Sequence, residues 1–167
     1  MVSSVMFKSE KDTWETPENI CSSIEKLYPD GYLDPAPPVE INEYMPLAYY
    51  ESDVDYLEVD WCAKNVYVNP PYGRVIGKWT TKFKTEFYNG NFENGIMLLP
   101  GRIGAKWFQD ITRTSSCWCA LDGRLKFGGA KNTAPFPSVL VLYTISPDFL
   151  KKFICDFDEK GLFWQSI

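Results

Sequence analysis

Histidine is missing from all 167 residues of this chain. That absence excludes Ser-His-Asp and Cys-His hydrolases and most acid–base schemes built on imidazole. With no Cys-x-x-Cys pair either, no ligand set for a structural zinc ion is present, and no metal is expected. The five cysteines, Cys21, Cys62, Cys117, Cys119 and Cys155, are an odd set without framework spacing. They suit the role of small core hydrophobes rather than disulfides. No run approaches the roughly 18 apolar residues of a membrane-spanning helix. Residues 1–8 lack the charged start and long apolar centre of a signal peptide, so a cytoplasmic location is expected. The phosphate-cradling GxGxxG loop is absent too. Chemistry in this chain must rest on positioning, on carboxylates or on a cofactor.

The length suits one domain, expected over residues 1–167, and the 45% apolar and 16% aromatic content supports a packed core. The formal net charge of −5 hides an asymmetry. Residues 1–60 hold 3 Lys/Arg against 14 Asp/Glu, a net of −11, whereas residues 61–135 hold 11 against 4, a net of +7. The acidic third suits a cationic ligand. The basic middle is a phosphate-facing surface in the making.

Short β-like runs alternate with helix-like ones, as in an α/β sheet. The pattern predicts helices over 17–27, 76–88, 105–112 and 147–157, with Thr16 as the N-cap of the first. Strands are expected at 32–33, within 47–50, and at 66–68, 96–100, 117–121 and 138–144. Turns are expected at Asn89-Gly90 and Asn94-Gly95, and the proline-rich stretch 35–46 reads as irregular loop. Sheets of this type bind ligands beyond the carboxyl ends of their strands, which places Asp34, Asp60, Asn69 and Pro100 on one edge.

The strongest local signal is Asn69-Pro70-Pro71-Tyr72, directly after the apolar run Asn65-Val66-Tyr67-Val68. An Asn side-chain oxygen and the Pro70 carbonyl can both accept from a planar amino group. The two prolines remove backbone donors and stiffen the turn. Tyr72 supplies a flat surface for a base. Together they suit a clamp for an exocyclic amine such as that of adenine. Elsewhere, Asp34-Pro35 ends a short strand, and Asp60-Trp61 offers an acceptor beside an aromatic ring. Trp14 stands just before a helix start whose free amides favour anions. Gly123-Arg124-Leu125-Lys126-Phe127-Gly128-Gly129 mixes cations, an aromatic and glycines, a composition suited to phosphate contact.

In order, the chain carries Trp14-Glu15-Thr16-Pro17, Leu33-Asp34-Pro35, Asp60-Trp61, Asn69-Pro70-Pro71-Tyr72-Gly73, Leu98-Leu99-Pro100, Gly123-Arg124-Leu125-Lys126-Phe127 and Ala134-Pro135-Phe136-Pro137-Ser138. Over roughly residues 12–145 this series resembles the compact, phage-associated DNA N-6-adenine-methyltransferase family. The resemblance implies a Rossmann-like class I methyltransferase sheet, mostly parallel, with 138–144 as an antiparallel C-terminal strand. It implies S-adenosylmethionine as cofactor, held by Trp14, Thr16, Pro17, Asp34 and Pro35, with Asp60 and Trp61 against its adenine. Catalysis would fall to Asn69, Pro70, Pro71 and Tyr72 acting on a flipped adenine of DNA. The candidate phosphate contacts are Arg74, Lys78, Arg102, Lys106, Arg124 and Lys126. A phage-encoded enzyme of this kind would work in the host bacterial cytoplasm, within or beside restriction-modification. The chain departs from the common pattern in its proline-rich loop after Asp34 and in lacking a separate target-recognition domain. The same clamp also suits RNA adenine or a glutamine amide, and a decayed, nucleic-acid-binding or restriction-enzyme-binding relic is a further alternative.

Overall fold

The computed structural model describes residues 14–38, 43–128 and 130–165. Residues 1–8, part of the 35–46 loop and Gly129 therefore lie outside what is described. Seven strands form one sheet: β1 (Tyr32–Leu33), β2 (Ala48–Tyr49), β3 (Asn65–Val68), β4 (Asn94–Pro100), β5 (Cys117–Leu121), β6 (Ser138–Thr144) and β7 (Gly161–Trp164). Their spatial order is β2-β1-β3-β4-β6-β5-β7. The β1–β2, β1–β3 and β3–β4 ladders are parallel, and the β4–β6, β5–β6 and β5–β7 ladders are antiparallel. Strands β1 to β5 thus run one way, with β6 inserted against that direction between β4 and β5.

Central strands in such a sheet are covered on both faces and read as unbroken apolar runs. That explains β3 and β4, every residue of which is buried. Helices α1 (Glu18–Leu27), α2 (Ile76–Tyr88), α3 (Lys106–Arg113) and α4 (Pro147–Phe157) supply the covers. α1 packs with α4, and α2 with α3. Alternation along the strands sends the pairs to opposite faces. Tyr67 of β3 meets Thr16, ahead of α1, whereas Tyr143 of β6, opposite Gly95, meets Phe83 and Phe87 of α2.

Three expectations need correcting. Thr16 is not the cap of α1. Pro17 takes the cap position without a side-chain bond, and the Thr16 hydroxyl turns to Tyr67 Oη at 3.0 Å. Asn94-Gly95 is not a turn but the start of β4. Asn94 is held there by a buried amide chain: Asn65 Nδ2 donates to the Gly31 carbonyl, Asn94 Nδ2 to Asn65 Oδ1, and Thr144 Oγ1 to Asn94 Oδ1. This chain crosses the amino edge of the sheet and satisfies groups that pull a short Asn-Gly pair into extended form. Finally, 138–144 is antiparallel as expected but is not the last strand: β7 follows a 3-10 turn at Asp158–Lys160 and pairs antiparallel with β5, an element too short and too exposed to be read from periodicity.

Gly95 shows how tightly α2 sits on the sheet. A Cβ there would lie 2.5 Å from Phe92 and 2.7 Å from Phe83. Gly95→Ala is therefore expected to destabilise the fold by about 1–3 kcal/mol, measured by urea denaturation, with an unchanged midpoint contradicting the packing described.

Candidate active site

The carboxyl edge of the sheet splits between β1 and β3, because the chain leaves β1 for β2 on one side and returns to β3 on the other. Asp34 ends β1, Asn69 ends β3, and the 14–17 segment is tied across to them. Asn69 Nδ2 donates to the Trp14 carbonyl and to Thr16 Oγ1 at 3.2 Å. A carbonyl can only accept, so the amide orientation is determined: its NH2 faces Trp14 and Thr16. Both amide hydrogens are then used. The oxygen, Asn69 Oδ1, is buried and has no partner. No hydrogen bond among the described residues ends on the Pro70 carbonyl either. Gly73, at φ 108°, is the residue that can turn the chain from this tetrapeptide into α2.

Behind Asn69 lies an aromatic cluster. The Tyr72 ring meets Phe136 edge-on at 5.6 Å and Phe127 at 6.3 Å. Trp14 meets Phe127 at 5.3 Å and Phe136 at 5.7 Å. Tyr72 is only 4% exposed, and its hydroxyl is 3.4 Å from the Leu98 carbonyl. Burial pushes its phenol well above the ordinary range. A second unpartnered buried atom, Trp14 Nε1, belongs to this cluster. The third among the described residues, Ser138 Oγ, sits at the start of β6 opposite Pro100, on the same carboxyl edge.

On the β1 side, Asp34 lines a cavity of about 340 Å³ with Pro38, Glu43, Met45, Pro46, Ala48 and Tyr50. Asp34 is 4% exposed and has no cation against it among the described residues. Burial pushes its carboxyl up to about 7, against the pull of the Ala36 N–H that donates to Oδ1 at 3.0 Å. A carboxylate kept in this state lacks a positive partner, which is the condition a cationic ligand would relieve. Pro35 is buried beside it.

The structure brings Trp14, Thr16 and Asn69 together, but it separates Asp60-Trp61 from them. Trp61 is fully buried among Trp79, Phe83 and Phe92, and its Nε1 donates to the Tyr56 carbonyl at 2.7 Å. Its backbone N–H donates to Glu86, near the end of α2, and Ala63 N–H to the Asn91 carbonyl just before β4. Both anchors belong to the amino side of the sheet, so Asp60 does not share the edge of Asp34, Asn69 and Pro100. The ring of Trp61 is a core element, with its faces taken by other rings. By contrast, all six basic candidates fall on the carboxyl side and are exposed. Arg74 and Lys78 flank the start of α2, Arg102 and Lys106 the start of α3, and Arg124 and Lys126 follow β5. Among the described residues none of them forms an ion pair. Phe127 and Phe136, which no reading of individual residues assigned to the site, reach it through the 122–137 segment; only their places in the ordered motifs hinted at it.

Fold and site together define an α/β protein whose unsatisfied polar groups gather at the carboxyl edge and switch point of a mixed sheet, where such folds bind ligands. The family model of DNA N-6-adenine-methyltransferase (Dam) matches residues 3–144, and the chain belongs to that family. It is thereby a member of a methyltransferase family whose substrate is adenine in DNA. No curated protein matches the chain.

The state of Asp34 has a measurable consequence. Its folded value lies above the usual 3.8, so between about 4 and 7 the folded protein retains a proton that the unfolded chain has lost. Stability then falls as pH rises through that window. Asp34→Asn should therefore gain stability relative to the wild type from pH 4 up to 7 and hold a constant difference above it, as read by denaturation at each pH. A difference independent of pH would contradict a buried, unpaired Asp34.

Proposed function

We propose that this protein transfers a methyl group from S-adenosylmethionine to the N6 amino group of adenine in DNA. The observation that carries the reading is the orphan acceptor Asn69 Oδ1, locked in place by its own amide hydrogens at the end of β3. The reading also takes the fold as a class I methyltransferase sheet, with the whole chain acting as one catalytic unit. The residues around Asp34 fit the cofactor in charge: a buried carboxylate without a cation faces a cavity, and the donor carries both a sulfonium and an ammonium group. When bound, that cofactor supplies a methyl group already activated for displacement.

The protein's share is alignment and charge stabilisation. Asn69 Oδ1 and the Pro70 carbonyl accept the two N–H bonds of the adenine amino group. Those bonds favour a pyramidal nitrogen whose lone pair is free of the ring, and they stabilise the positive charge that develops on it. Because donor and acceptor are held at one edge, the step gains mainly from proximity and orientation. Pro71 stiffens the turn, and Thr16 and Pro17 hold Asn69 and the start of α1. Tyr72 stacks on the target base, which must leave the duplex to reach it. In the present arrangement Phe136 and Phe127 cover that ring, so base entry requires Phe136, half-buried on its loop between two exposed prolines, to give way.

DNA contact is supported by the six unpaired cations on the same side. It is supported further by the starts of α1, α2 and α3, none of which has a side-chain cap. By contrast, α4, which begins at the opposite edge, is capped by Ser146. Uncapped helix starts present free N–H groups to phosphate. Of the alternatives, RNA adenine would use both the clamp and this phosphate-facing side, whereas a glutamine amide would use the clamp alone.

Incubation with S-adenosylmethionine and unmethylated DNA, followed by nucleoside mass spectrometry, should yield N6-methyladenine. Asn69→Ala should reduce turnover by about a hundred-fold or more while cofactor binding, measured by calorimetry, persists. Retained activity in that variant would sink the assignment. Replacing Arg102 and Lys106 by alanine should weaken DNA binding at every sequence and flatten its dependence on salt, and an unchanged salt slope would remove this surface from the interface.

A further inference from the structure

We propose that Trp14 is a specificity-determining residue whose indole N–H donates to a ring nitrogen of the target adenine, beside the amino group that Asn69 holds. The inference rests on the adenine-methyltransferase reading and extends it to how the base is chosen. A buried indole N–H normally has an acceptor. Trp61 follows that rule, with its Nε1 on the Tyr56 carbonyl at 2.7 Å. Trp14 does not: its Nε1 is buried and has no partner among the described residues. The atom is not loose. The Trp14 carbonyl receives the Asn69 amide, and its ring is wedged against Phe127 and Phe136, the second nearly perpendicular at 87°.

Among the described residues only three buried side-chain polar atoms lack a partner, and two of them belong to this directly bonded pair. One is a pure donor, Trp14 Nε1, and the other a pure acceptor, Asn69 Oδ1. A free donor and a free acceptor on two directly bonded residues complement a base that carries an amino group next to a ring nitrogen. Adenine offers that pattern on both sides of its amino group, with N1 on one side and N7 on the other. Guanine and thymine present carbonyl oxygens where adenine presents its amine, so Asn69 Oδ1 would meet another acceptor and the base is rejected. Cytosine also carries an amine beside a ring nitrogen. The pair therefore rejects guanine and thymine and does not by itself distinguish adenine from cytosine. Trp14 thus contacts the base, and the cofactor cavity at Asp34 is lined without it.

The test is a cycle between protein and substrate. Methylated positions are first mapped on unmethylated DNA. Duplexes are then made with adenine, 1-deazaadenine or 7-deazaadenine at such a position, each analogue lacking one ring nitrogen. Wild-type kcat/KM should fall by about ten- to a hundred-fold with one of the two analogues. Trp14→Phe, which keeps an aromatic ring but loses the N–H, should be slower on adenine and indifferent to that same analogue. If the variant loses as much as the wild type on each analogue, or if neither analogue slows the wild type, Trp14 does not read the base. Should Trp14→Phe fail to fold, benzothienylalanine at position 14 keeps both fused rings and replaces only the N–H by sulfur, and the same outcomes apply. A wild type that makes no N6-methyladenine on any DNA overturns the underlying reading, which is a different result from an active enzyme with additive effects.

Discussion

One side chain holds the carboxyl edge of this protein together. Asn69 stands where β3 ends and donates both amide hydrogens to the segment at residues 14–16, so the start of the described chain and the middle of the sheet are bound to each other. The position of α1, the placement of Trp14 against Phe127 and Phe136, and the freeing of a single buried acceptor all follow from that tie. The same geometry that anchors Asn69 also leaves its oxygen without a partner, since an amide with both donors engaged can orient in only one way.

The two edges of the sheet are treated differently. At the amino edge, the amides of Asn65 and Asn94 link Gly31 to Thr144, and Glu86 accepts from both the Trp61 backbone and Asn91, so buried polar groups there are satisfied. At the carboxyl edge, Trp14 Nε1, Asn69 Oδ1 and Ser138 Oγ are buried and unpaired among the described residues. Each such group costs on the order of 1–3 kcal/mol. Asp34, deprived of water and of a cation, adds to that strain at the same edge. The contrast separates an edge whose buried polar groups are paired from one where they are left unpaired among the described residues. A bound nucleoside and base would return to these groups the partners that folding denied them.

The aromatic cluster adds a conformational condition. Tyr72 lies under Phe127 and Phe136 in this arrangement and has almost no free surface. On the proposed reading, access to Asn69 and Tyr72 would be coupled to the segment that carries Phe127 and Phe136, which also carries Arg124 and Lys126.

Much of this was legible in the residues themselves. Helices α2 and α4 matched their expected spans to the residue, because apolar positions at helical spacing and a proline at the first turn of α4 act locally. The tetrapeptide after β3 was legible for the same reason: prolines and a strand end are local signals. What the chain alone could not disclose depends on distant partners. Asn94-Gly95 becomes strand only because Asn65 and Thr144 lie alongside, and Trp61 becomes core only because Trp79, Phe83 and Phe92 close over it. Thr16 left its expected cap role because Tyr67 and Asn69 together engage its hydroxyl. Sequence by itself determined the family, the acceptor tetrapeptide and most elements, since those rest on short-range patterns. Only tertiary structure decided which polar atoms remain unpaired, because burial and hydrogen bonding between residues some 50 positions apart are properties of the packed chain.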